Sequence, residues 1–205
     1  RISLLKPATN RGYGAGHNLA MAMVGSQFHL ILNPDVELAP DALKLAMDTL
    51  KERREVALLA PQGFSPSGEP AFLSKAYPSV WVLGLRSLIP HGLKIQWGGA
   101  LARYEMRDTP SETTLRPIKL ASGCCMWVRR AVFDEVGGFD ESYFLYFEDY
   151  DLSLRLARQG AVMEHRDVRI VHHGGGASRK GFQHIRWFVA AAARFFNQWG
   201  WRWFG

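Results

Sequence analysis

Phe28-His29-Leu30-Ile31-Leu32-Asn33-Pro34-Asp35 is a short, mainly apolar run cut off by three turn-forming residues. Its length suits a buried strand, and Asn-Pro-Asp ends it sharply. Downstream, Pro40-Asp41 opens a helix whose apolar positions Leu43, Ala46, Met47 and Leu50 fit a 3.6-residue period. Val56 to Ala60 reads as the next buried strand, closed by Pro61. Upstream, Ile2 to Leu5 reads as a short strand. It is followed by the Gly-rich turn Asn10-Arg11-Gly12-Tyr13-Gly14-Ala15-Gly16-His17-Asn18 and a helix from Leu19 to Val24. Strand, helix, strand, helix, strand in short succession predicts an α/β layer with parallel pairing.

From Gly63 to Arg116 neither period dominates, and the segment reads as a long excursion with no assigned function. Regularity returns at Lys119. Cys124 to Val128 reads as a strand, Arg130 to Val136 as a short helix, and Glu148 to Gln159 as a helix ended by Gly160. Val162–Glu164 and Val168–His172 read as two short strands, Gly174-Gly175-Gly176 as a flexible break, and Gln183 to Trp203 as a helix.

At 205 residues, 47% hydrophobic and 21% charged, the chain can bury a core without staples. Whole-chain disorder, collagen-like and coiled-coil readings are excluded. The two cysteines, Cys124 and Cys125, are adjacent in an apolar run, which excludes a disulfide framework and favours a reducing compartment. No apolar stretch is long enough for a spanning helix, and no signal peptide opens the chain. From Arg166 onward there are seven basic residues against Asp167 alone, so the net charge of +6 resides in that end. Four of the seven tryptophans (Trp187, Trp199, Trp201, Trp203) lie there too. Nucleic-acid binding is not favoured, because the basic residues are confined to this end and no nucleic-acid motif accompanies them.

Five constellations can carry chemistry. Asp35, just past a strand end, sits where open α/β sheets bind ligands and can hold a divalent metal; Asn-Pro-Asp also suits a plain turn. The Gly-rich segment can bring backbone N–H groups to a phosphate, although its third glycine comes one residue early for a dinucleotide fingerprint; it also suits a tight strand-to-helix turn. Gly137 to Leu152 places Glu148, Asp149 and Asp151 directly after an aromatic run. Crowded carboxylates beside apolar rings have raised pKa values, which suits a general base. The helix dipole stabilises Glu148 and Asp149, while Asp151 has the i,i+4 spacing for an ion pair with Arg155. His172 and His173, beside glycines, can ligate a metal or contact a phosphate. Last, Ile185, Phe188, Ala192, Phe195, Phe196, Trp199 and Trp203 recur at helical spacing with Arg186, Arg194, Gln198 and Arg202 mostly between them. That pattern suits an anionic membrane surface, and equally a helix docking on the core or on a dimer partner.

Taken in order, Asn10–Asn18, Leu32–Asp35, Ser122–Met126, Gly137–Asp151 and Val171–Gly176 resemble the family-2 inverting glycosyltransferases, in particular the bacterial rhamnosyltransferase-like branch. The resemblance implies a glycosyltransferase A-type, Rossmann-like sandwich with a mostly parallel sheet over residues 1–180, plus a C-terminal amphipathic helix over 181–205. Asn33-Pro34-Asp35 looks like the family's Asp-x-Asp metal motif, with Asn33 in place of the first acid. That makes Asp35 the main ligand of Mg2+ or Mn2+, with His172 resembling the late histidine near metal and diphosphate. Asp149 looks like the catalytic base, with Glu148 beside it binding or orienting the acceptor. Asn10, Gly12, Gly14, Asn18 and Asn33 would lie near the nucleotide.

The implied donor is a dTDP- or UDP-sugar carrying a deoxyhexose such as rhamnose, and the implied acceptor a cell-envelope glycan or a lipid-linked one. The implied location is the cytoplasm, peripheral to the inner face of the membrane, with a homodimer allowed. Members of the family normally begin with a further strand and helix that grip the base and ribose. On this reading one βαβ unit is missing ahead of Asn10, a sheet edge lies open, and these residues alone transfer sugar weakly or not at all. The competing expectation is a non-catalytic relative that binds a glycan or membrane surface.

Overall fold

The computed structural model describes residues 2–88, 98–107, 113–174 and 181–204. The apolar run around Ile31 forms strand β1 (Phe28–Leu32), followed by a short β2 (Val36–Leu38). Val56 to Ala60 lies inside a nine-residue strand, β3 (Val56–Phe64), whose first six residues are all buried. The later strands are β4 (Leu115–Pro117), β5 (Cys125–Arg129) and β6 (Ala161–His172). The sheet runs β1-β5-β3-β6-β2, with β4 also pairing with β6. The two expected short strands after Ala161 are therefore one strand, with a register irregularity where β3 passes from Pro61 to Gln62.

The expected mostly parallel sheet is instead mixed. Only β3 and β6 pair in parallel; β1–β5, β3–β5, β2–β6 and β4–β6 are antiparallel. The physical cause is insertion. β5, from far downstream, slides between β1 and β3 and separates two strands whose short spacing suggested direct pairing. β1 is thereby one edge of the sheet among the described residues. Residues 2–5 do not form the expected strand.

Helices cover the sheet. The Gly-rich segment is not a turn before a helix but the helix itself, α1 (Tyr13–Met21). In α2 (Ala42–Glu52) the buried residues are Ala42, Ala46 and Leu50, while Leu43 is exposed. Ala46 and Leu50 of the expected stripe are buried and Met47 is half-buried; Leu43 alone turns outward, and Ala42 faces inward in the first turn. The excursion holds two helices, α3 (Val80–Leu88) and α4 (Gly98–Tyr104). It is tied to the sheet by a buried polar network: Ser74 donates to Glu164 (2.6 Å), which also pairs with Arg116. The remaining helices are α5 (Arg130–Glu135), α6 (Glu148–Leu156) and α7 (Gly181–Trp199).

Helix α7 docks on the molecule through the face that the sequence also offered to a membrane. Phe195 and Phe196 are buried against Val82, Leu101, Tyr143 and Phe147, with Phe188, Ala192 and Trp199 packed around them. Ile185 and Trp203 point outward. Aromatic residues of the Tyr143–Tyr150 run thus meet a helix from the far end of the chain, which is why they are apolar without belonging to the sheet's core. Gly175, Gly176, Arg179 and Lys180, singled out above, lie outside the described residues.

Candidate active site

Two chain reversals build the site at one end of the sheet. Antiparallel pairing sets Leu32 of β1 opposite Cys125 of β5, and the Asn33 N–H donates to the Cys124 carbonyl (2.8 Å). Beyond Pro34, β2 pairs with the end of β6, with Val36 opposite His172. This brings Asp35 to His172: Oδ2 lies 3.5 Å from Nε2, and the His173 N–H donates to the Asp35 carbonyl. The α6 N-terminus arrives from the other side, where Asp149 Oδ2 accepts from the Gly123 N–H (2.8 Å) and Oδ1 from the Tyr150 N–H (2.9 Å). Burial pushes the Cys124 thiol up to about 11, and the charges of Asp149 and Asp35 act on it in the same direction. The Asp149 side chain thus meets the residues leading into β5 at Gly123, and the Asn33–Asp35 turn meets them through Asn33 at Cys124.

Asp35 and His172 lie together as a carboxylate and an imidazole that could serve as two metal donors. Asp35 Oδ1 is buried without a hydrogen-bond partner, and Oδ2 faces the imidazole. A Cβ on Gly174 would stand 2.4 Å from that Oδ2 and 2.7 Å from His172 Nε2, so only glycine leaves this cradle open. Among the described residues no group of three or more His, Cys, Asp or Glu is placed to hold a metal. One carboxylate and one imidazole fit a hard cation that takes its other oxygens from a diphosphate and water.

Glu148 is buried beside Asp149, and its Oε2 has no hydrogen-bond partner. Burial, reinforced by the Asp149 charge, pushes its carboxyl up to about 8. Its own proton is therefore retained at neutral pH, which suits a hydrogen-bond donor rather than a base. The consequence for stability has a definite sign. The folded state holds this proton at pH values where the unfolded chain has released it, so the native-state advantage is complete below about pH 4.5 and is lost as pH rises toward 8. Glu148→Gln is expected to be near neutral at pH 4 and to stabilise by about 4 kcal/mol at pH 8, read from urea unfolding at both pH values.

Two consecutive non-glycine residues before Glu148, Tyr146 (φ 74°) and Phe147 (φ 64°), are left-handed. Each costs about 1 kcal/mol and needs surrounding contacts to persist. Helix α7 supplies them: Phe147 packs against Phe188 and Phe195, and the Tyr146 hydroxyl is 2.9 Å from His184 Nδ1. The third acid, Asp151, belongs to the same bracing. It is fully buried, takes the expected i,i+4 bond from Arg155 (2.8 Å), and also accepts from Gln198 Nε2 and Trp199 Nε1, both at 2.9 Å. Asp151→Asn keeps one acceptor but removes the charge opposite Arg155. It is expected to cost about 2 kcal/mol in chemical denaturation.

The Gly-rich residues divide into two groups. Asn10 Oδ1 accepts from the Gly12 N–H (3.0 Å), and Gly12 (φ 102°) lies so close to Phe144 that a Cβ would come within 2.3 Å of its carbonyl oxygen. Gly14 packs on the Phe139 ring, and Asn18 clasps the Phe139 backbone by accepting from its N–H and donating to its carbonyl, both at 2.9 Å. Gly14 and Asn18 therefore join α1 to the Gly137–Glu141 turn. Asn33 does meet the site, through Tyr13, whose hydroxyl is 2.6 Å from the Gly123 carbonyl and 3.1 Å from the Asn33 side-chain amide. Neither Tyr13 nor Gly123 stood out as a site residue in the sequence, because their partners are 20 to 110 residues away.

The family model for glycosyl transferase family 2 matches residues 1–137, and a curated relative shares 30% identity over 84% of the chain. The chain belongs to glycosyl transferase family 2. That relative is N-acetylglucosaminyl-diphospho-decaprenol L-rhamnosyltransferase of Mycobacterium tuberculosis, and the matched region covers 59% of its length. The rhamnosyltransferase WbbL of Escherichia coli is 25% identical over 90% of this family-2 chain and 69% of its own. The fold is that of the glycosyltransferase A-type enzymes. A crystal structure of GalNAc-T7 with UDP, GalNAc and Mn2+ superimposes on 95% of the chain and 36% of its own, with a TM-score of 0.64 at 12% identity. The chain spans about three fifths of the mycobacterial relative.

Proposed function

We propose that this chain carries the catalytic machinery of a metal-dependent, inverting glycosyltransferase, moving a deoxyhexose such as rhamnose from a dTDP- or UDP-sugar to a cell-envelope glycan or lipid-linked acceptor. The observation that carries the reading is that the Asn33–Asp35 turn and Asp149 are both hydrogen-bonded to Gly123-Cys124, the residues leading into β5, in a family-2 chain. The mycobacterial relative's printed name, with its decaprenol acceptor, supports the sugar and the lipid-linked acceptor.

The chemistry follows from the residues present. Asp149, held by two backbone N–H donors, receives the proton of an acceptor hydroxyl. The acceptor oxygen forms its bond to the anomeric carbon from the face opposite the leaving diphosphate; the glycosidic C–O bond breaks and the configuration inverts. Glu148, holding its proton, donates a hydrogen bond to the acceptor. Asp35 and His172 would hold Mg2+ or Mn2+, which would neutralise charge on the departing diphosphate. Asn10, Gly12 and Asn33 lie along the nucleotide, with Gly14 and Asn18 shaping that edge.

In this reading residues 1–180 form the transferase unit and 181–205 an appended helix. No helix among the described residues is long and apolar enough to cross a membrane. The exposed Phe182, Ile185 and Val189 of α7, in an end of the chain without acids after Asp167, favour peripheral attachment to the cytoplasmic face of the membrane. A thermal-shift series with dTDP and UDP, each with Mn2+ or with EDTA, tests the reading. A ligand at about 100 times its Kd adds about 2.7 kcal/mol, or roughly 5–10 °C for a chain this size. A shift that needs Mn2+ is expected. No shift with either nucleotide favours a non-catalytic glycan- or membrane-binding module.

A further inference from the structure

Two acidic loops do the work in the proposed reaction, and one side chain touches the supports of both. Tyr13 opens α1, and its ring lies in contact distance of Gly123, where an added Cβ would come within 3.4 Å of Tyr13 Cε1 and 3.2 Å of Asp149 Cβ. Its hydroxyl reaches the Gly123 carbonyl (2.6 Å), and the Gly123 N–H in turn donates to Asp149 (2.8 Å). The same hydroxyl lies 3.1 Å from Asn33 Oδ1, the amide oxygen, two residues before Asp35. A phenol has one proton. Given to the Gly123 carbonyl, it leaves the phenol oxygen as an acceptor, and the Asn33 amide can turn its Nδ2 toward it so that both bonds are made at once. At its backbone, Tyr13 is anchored independently: its N–H donates to the Phe144 carbonyl (3.1 Å). Its neighbours would oppose ionisation, since burial and the charges of Asp149 and Glu148 all push the phenol's pKa upward.

We infer that Tyr13 is a positioning residue: the relay Asn33–Tyr13–Gly123–Asp149 sets the separation between the proton-accepting carboxylate and the diphosphate-binding loop. The inference rests on the proposed transfer reaction, because it assigns Tyr13 no bond to any substrate. Reaction rates fall steeply with small misplacements of reacting groups, so a strut between the two loops acts on turnover rather than on affinity.

Tyr13→Phe keeps the ring and removes both hydroxyl bonds. In steady-state transfer assays on the full chain it is expected to lower kcat about tenfold, with donor KM changed by less than about threefold. A residue that merely supports folding would lower the melting temperature and the fraction active, leaving kcat per folded molecule unchanged; active-site titration separates the two. A double-mutant cycle gives a second readout. Asn33→Ala should lower kcat in the unsubstituted background and add little in the Tyr13→Phe background, while raising donor KM in both. Full kcat in Tyr13→Phe, or additive effects of Asn33→Ala on kcat, would overturn the inference and leave the functional reading standing. An unsubstituted protein that shows neither transfer nor an Mn2+-dependent shift with dTDP or UDP sinks the functional reading, and this inference with it.

Discussion

Asp149→Asn is expected to lower sugar transfer about 1,000-fold while leaving Mn2+-dependent nucleotide binding within about threefold of the unsubstituted protein. The amide is nearly the size of the carboxylate and keeps one acceptor oxygen, so one of the two bonds from the Gly123 and Tyr150 N–H groups survives and holds the side chain at the α6 N-terminus. What the substitution removes is the capacity to take a proton. General-base catalysis contributes typically 10²- to 10⁴-fold, and Glu148 cannot substitute for it because its own carboxyl is protonated around neutral pH. The measurement pairs initial transfer rates with calorimetric titration of the nucleoside diphosphate in Mn2+. A variant that loses nucleotide binding but turns over normally at saturation would place the base elsewhere.

The mirror-image result is expected for Asp35→Ala. It removes the one carboxylate of the donor set, including the buried oxygen that has no partner within the chain. Affinity for dTDP or UDP in Mn2+ should fall about 100-fold or more, a magnitude typical of losing a ligand or its close support. In EDTA the variant and the unsubstituted protein should bind the nucleotide equally weakly, because the difference resides in the cation. The Asp35 side chain is partly exposed and its pairing with His172 is long (3.5 Å), so the melting temperature without ligand should change little. A variant with unchanged metal-dependent affinity would mean that Asp35 is only a turn residue between β1 and β2.

The two acids that matter most were legible for different reasons. Asp35 follows an apolar run and a proline, and both signals are local. Glu148 and Asp149 follow aromatics at a helix start, also within a few residues. Asp151 shares that crowded setting, and its i,i+4 spacing already marks it as the ion-pair partner of Arg155; its wider part as a brace is not marked. Two of its donors, Gln198 and Trp199, come from 47 and 48 residues away, and no local pattern announces them. The same limit explains α7. Its apolar face served a membrane as well as a core, until the Tyr143–Tyr150 aromatics were seen to need a cover.

Strand identity survived translation into three dimensions better than strand pairing. Val56 to Ala60 reads as buried on both faces, and it is the centre of the sheet. Its neighbour β5 comes from more than sixty residues downstream and pairs antiparallel, which converts an expected parallel layer into a mixed one. Hydrophobic periodicity reports whether a segment is covered, and by turn residues where it stops. It carries no record of which distant segment does the covering. The acids and their local settings were therefore readable one stretch at a time. The links that join Asp149 to the Asn33–Asp35 turn, through Gly123, Cys124 and Tyr13, exist because β5 inserts beside β1 and carries Gly123 and Cys124 to them.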